Sequence, residues 1–79
     1  MDKIVPIKQT VGISRDGYIM FLNNRSYAIH SSEIKTADDV VDWIEHLSEK
    51  DWFTRFDTIQ FCQIAMTLLR EAAQEEGGI

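Results

Sequence analysis

A chain of 79 residues, 44% apolar and carrying a net charge of −5, suits one compact domain with a single core, and excludes a disordered segment or a pair of domains. Cys62 is the only cysteine, so no disulfide can form within the chain, and no apolar run approaches the roughly 20 residues that span a bilayer as a helix. A core of this size supplies roughly 3–5 kcal/mol at best, which keeps self-association among the expectations.

The first segment, "MDKIVPIKQT", lacks the charged, apolar and small-residue zones of a signal peptide. With the lone cysteine, this points to a soluble protein of a reducing, cytoplasmic setting. Ile4, Val5, Ile7, Val11 and Ile13 suit an outer strand, although Pro6 confines its first part to an edge or a bulge.

From Thr10 to His30 short β-branched and aromatic runs alternate with turn residues, the pattern of a strand meander. Arg15-Asp16-Gly17 places a residue tolerant of positive φ before "YIMFL". Asn23-Asn24-Arg25 separates "YIMFL" from "SYAIH", and asparagine is the non-glycine residue most at ease in the left-handed region. Tyr18, Met20 and Leu22 share one strand face, Ile19 and Phe21 the other. Neither face is polar, so both are expected to be covered.

Thr36 is the predicted cap of a first helix, its hydroxyl accepting the amide near Asp39. Val40, Trp43, Ile44 and Leu47 define the buried stripe, and the helix ends near Glu49 or Lys50. Thr54 with Asp57 repeats the start signal for a second helix, from Thr54 or Arg55 to about Gln74. In "WIEHLSEKDWFT" the aromatics Trp43, Trp52 and Phe53 mark the corner where the helices meet, and Lys50 complements the first helix's carbonyl end. The predicted architecture is α+β, a three-stranded antiparallel meander packed against two helices. Residues 1–35 form the strand-rich half, 36–76 the helical half, and 77–79 a frayed tail.

Charge divides the chain. Residues 1–35 carry five basic and three acidic side chains, whereas residues 36–79 carry three basic and ten acidic ones. Asp38, Asp42, Glu45 and Glu49 advance by four, three and four positions, so their carboxylates form one line on the first helix, opposite its apolar stripe. Such a row either keeps a small protein soluble or docks a basic partner, whose Lys and Arg it would take from phosphate.

The second helix carries more apolar surface than one partner needs. Ile59, Cys62, Met66, Leu69 and Ala73 form one ridge; Phe61, Ile64, Ala65, Leu68 and Ala72 form another. The sheet and the first helix can consume both, or a second copy takes the surplus, with Phe61, Ile64 and Leu68 as the candidate interface.

Candidates for chemistry are few. His30, His46 and Cys62 show no zinc-ligand spacing, and Cys62 lies among apolar neighbours, where a thiol is inert. Neither a metal nor a cofactor is expected, and an enzyme built on Cys62 and a histidine, or on Asp57 or Glu71 as acid or base, ranks below a binding protein. Lys8, Arg15 and Arg25 with Tyr18 and Tyr27 sketch a basic tip for nucleic acid, but the acidic second half opposes phosphate.

Trp43, His46, Leu47, Lys50, Trp52 and Thr54 compose the pattern W-x-x-H-L-x-x-K-x-W-x-T. Behind a strand-rich half, and over Tyr18 to Leu69, it resembles small uncharacterised proteins encoded by phages and other mobile elements. That resemblance carries no activity. It implies a context in which small acidic proteins bind and block a host protein, defence nucleases included. The expectation is a non-enzymatic interaction module with a basic protein partner or a second copy of itself.

Overall fold

A computed structural model describes residues 9–77 of the chain, with side chains described through residue 74. Strands β1 (Val11–Ile13), β2 (Tyr18–Phe21) and β3 (Asn24–His30) form an antiparallel sheet in the order β1-β2-β3. A short 3-10 turn at Ser31–Glu33 leads to helix α1 (Ala37–Ser48), and a corner leads to α2 (Arg55–Gly77). The α+β architecture therefore matches the sequence reading. The outer-strand expectation for Ile4, Val5, Pro6 and Ile7 lies outside the described residues.

The first hairpin turns at Gly17, whose φ of 90° is the only positive φ among the described residues. The second hairpin differs from expectation: Asn24 and Arg25 already belong to β3, and no asparagine enters the left-handed region. A register shift beside Phe21 tightens this turn, and the Asn23 side chain fastens it from outside by donating to the Trp52 carbonyl at 3.2 Å and the Asp57 carboxylate at 3.0 Å. A side-chain anchor thus replaces the backbone conformation that asparagine would otherwise supply.

Period-two alternation places Ile19 and Phe21 in the core beside Val11 and Ile29. The opposite face is not covered as expected: Tyr18, Met20 and Leu22 remain exposed, because the helices pack on the inner side alone. Phe21 centres an aromatic cluster with Tyr27, Trp52, Phe53 and Phe61, at ring distances of 5.2 to 6.4 Å. The corner segment therefore supplies core, with Trp52 and Phe53 packed against Phe21. Lys50, expected to serve the helix end, instead lies 5.8 Å over the Tyr27 ring.

Both helices begin with reciprocal capping boxes. In α1, Asp39 N–H donates to Thr36 Oγ1 at 3.2 Å and Thr36 N–H donates to Asp39 Oδ2 at 3.0 Å. In α2, Asp57 N–H donates to Thr54 Oγ1 at 3.2 Å and Thr54 N–H returns to Asp57 Oδ2 at 3.1 Å. Asp57 is fully buried and also accepts from the Thr10 hydroxyl and the Asn23 amide. It ties the starts of β1 and α2 to the second hairpin. At the outer edge of β1, Gln60 Oε1 accepts from the Thr10 and Val11 amides at 2.7 and 2.9 Å, and Gln9 Nε2 donates to the Val11 carbonyl at 3.1 Å.

α2 runs three residues beyond the expected Gln74 and takes in Gly77 as its last residue, so the position assigned to a frayed tail is helical. Glu75 and Glu76 are good helix formers, which carries the helix past Gln74.

Candidate functional site

The Thr36 box sets the phase of α1, turning Leu47 fully inward and packing Val40, Trp43 and Ile44 on the core. The opposite side then belongs to Asp38, Asp42, Glu45 and Glu49, all exposed. Glu49 is the C-cap, and its helical backbone (φ −80°, ψ −9°) keeps its carboxylate in line with the other three. Neighbours in the row rise by about 4.5–6 Å along the axis, giving a ridge about 16 Å long. No described cation pairs with any of the four, and they make no side-chain hydrogen bond. The ridge concentrates negative charge on the exposed side of α1, a surface that accelerates encounter with a cation-rich partner.

Beside it, Glu33, Asp39, Asp42, Trp43 and His46 line a shallow cleft of about 300 Å³. The backbone amides of Lys35 and Thr36 hold the Asp39 carboxyl below the usual carboxylate range. His46 is exposed and meets Trp43 edge-on at 5.7 Å. No group of three or more His, Cys, Asp or Glu among the described residues is placed to hold a metal ion.

His30 caps the 3-10 turn: its Nδ1 accepts from Ser32 N–H at 3.2 Å, and its ring stands against Tyr18 at 4.8 Å. Cys62, partly exposed, borders a depression with Gln63, Met66, Thr67 and Arg70 that contains neither histidine. The residues considered for acid–base work are also apart in role, with Asp57 locked in its buried cap and Glu71 exposed.

The basic tip does not form among the described residues. Consecutive turns of an antiparallel meander lie at opposite ends of the sheet, so Arg15, in the first turn, and Arg25, just after the second, are separated by the length of β2. Tyr18 faces outward while Tyr27 is half-buried against Trp52 at 5.3 Å. Lys8 lies outside the described residues.

The interface expected on α2 is corrected at Phe61. Phe61 is 0% exposed inside the subunit, with Ile64 and Leu68 packed beside it, because this ridge is the one that meets the sheet and α1. The large apolar side chains that α2 leaves exposed among the described residues are Phe56, Ile59 and Met66. Ile59 and Met66 stand in the other ridge of the sequence reading; Phe56 was missed. Its signal was the three-four spacing of residues 56, 59, 63 and 66.

No helix among the described residues is long and apolar enough to cross a membrane. Set against known protein families, curated proteins and solved structures, the chain matches none of them.

Proposed function

We propose that this chain is a non-enzymatic interaction module that docks a basic surface of another protein through the acidic ridge of α1. The observation that carries this reading is the line of Asp38, Asp42, Glu45 and Glu49, four exposed carboxylates on one side of a well-capped helix with no cation paired to them among the described residues. Like charges three and four residues apart cost a few tenths of a kcal/mol per pair, and interspersed Lys would solubilise as well without that cost.

The mechanism is occupation. Lys and Arg side chains that would otherwise hold phosphates close on the ridge instead, so a partner that binds nucleic acid loses access to it. As part of the same proposal, that partner is a host defence protein met in the cytoplasm.

The test pairs the native chain with Asp42→Lys/Glu45→Lys in affinity capture from a host lysate at low and high salt. The expected partner is retained by the native chain, released by salt and lost with the reversed pair. Equal retention by both chains at both salt concentrations overturns the reading.

A further inference from the structure

The geometry of α2 points to a second, independent surface: we propose that two copies of this chain associate through the solvent side of α2 as an antiparallel helix pair. The proposal does not rest on the acidic ridge, which lies on α1.

Phe56, Ile59, Gln63, Met66, Arg70 and Ala73 follow one another by three, four, three, four and three positions, the spacing of a helix-pairing seam. All six are exposed, with Phe56 at 41%, Ile59 at 51% and Met66 at 49%. At 100° per residue the row runs along the side of α2 opposite Phe61 and Ala65, which are fully buried. α2 therefore carries large apolar side chains on two opposed sides, and the core accounts for one. Single exposed apolar residues need no partner, but Phe56 and Ile59 continue into Ile13, itself 47% exposed, across a cleft of about 390 Å³ shared with Gln63 and Ile64.

Self-complementarity identifies the occupant. In an antiparallel pair centred between Gln63 and Met66, Phe56 of one copy meets the small Ala73 of the other. Ile59 lies along the aliphatic stem of Arg70, and Gln63 lies against the flexible Met66. Every seam position finds a mate of complementary size, which a parallel pairing, with Phe56 on Phe56 and Arg70 on Arg70, does not provide.

Charge agrees. The seam contains no carboxylate, and the antiparallel order brings Arg55 of each copy to the carbonyl end of the other's helix, where a cation is favoured.

The area sets the strength. A seam about 26 Å long encloses on the order of 500 Å² per copy, below the roughly 800 Å² per partner of a standard stable interface. The dimer should therefore be reversible, with a Kd in the range of about ten to a hundred micromolar.

Sedimentation equilibrium of the full chain from about 5 to about 300 μM tests this, with Ile59→Glu and Met66→Glu as variants whose helical content is checked by circular dichroism. The expected result is concentration-dependent dimerisation that each variant weakens at least about tenfold while remaining folded. A strict monomer throughout, or association unchanged in both variants, overturns the proposal. Orientation is read from spin labels on Gln74→Cys in a Cys62→Ala background: about 30 Å between labels supports the antiparallel pair, and about 10 Å overturns it.

Discussion

Asn23 in the second hairpin and Asp57 at the start of α2 are joined by a 3.0 Å hydrogen bond across 34 residues of sequence. The same carboxylate accepts from the Thr10 hydroxyl and the Thr54 amide. Replacing Asp57 by alanine strands these donors in the interior and is expected to cost about 3 kcal/mol, most of the stability of a domain this small. Asn23→Ala should cost about 1 kcal/mol. Urea unfolding of both variants and of the double variant checks the link, and costs that simply add would deny it.

Gly17 holds φ at 90°, and a Cβ there would stand 3.1 Å from Ser31 Oγ. Gly17→Ala is expected to lose about 1–2 kcal/mol through backbone strain and crowding. Thermal unfolding measures it, and an unchanged midpoint would show that the hairpin can turn another way.

The two ridges of α2 should respond oppositely to truncation. Phe61→Ala leaves a cavity in the aromatic cluster and should cost about 3–5 kcal/mol. Ile59→Ala, on the solvent side, should stay within about 0.5 kcal/mol at concentrations where the chain is monomeric.

Asp39 makes stability depend on acid. Its folded-state pKa lies below the ordinary 3.8 because the Lys35 and Thr36 amides favour the carboxylate. The stabilisation is therefore complete above that ordinary value and is lost as pH falls through the lowered one. In Asp39→Ala the neutral-pH stability should drop and the loss below pH 3.8 should shrink. Denaturant midpoints recorded across that range give the answer.

Tyr27 acts at the alkaline end, since burial raises its pKa above the ordinary 10.0. Its contribution is present below that value and fades as pH rises through the raised one. In a Tyr18→Phe background, where Tyr27 is the remaining tyrosine, ultraviolet titration should show phenolate appearing late. Ionisation at the ordinary value would mean the ring is not held against Trp52.

Local signals were the legible part of the chain. Thr36 with Asp39 and Thr54 with Asp57 announced both helix starts, and Gly17 its turn. The alternation of Ile19 and Phe21 and the stripe ending at Leu47 marked the inward faces. What stayed hidden depends on how elements dock. The helical wheel of α2 shows two apolar ridges, but only the sheet's position decides that Phe61 goes inward and Ile59 outward. Asp57 reads as a helix cap, and nothing local reveals that Thr10 and Asn23 converge on it. Arg15 and Arg25 look adjacent until the meander sends successive turns to opposite ends. The four carboxylates of α1 share a line in sequence and structure alike, since one helix determines their relation.

The side-chain amides of Gln9 and Gln60 occupy the margin of β1. A foreign strand aligning with Thr10 and Val11 would find those peptide groups already engaged by Gln60 and Gln9. Fibrillar growth by backbone templating along this stretch would first have to displace both amides, which disfavours it.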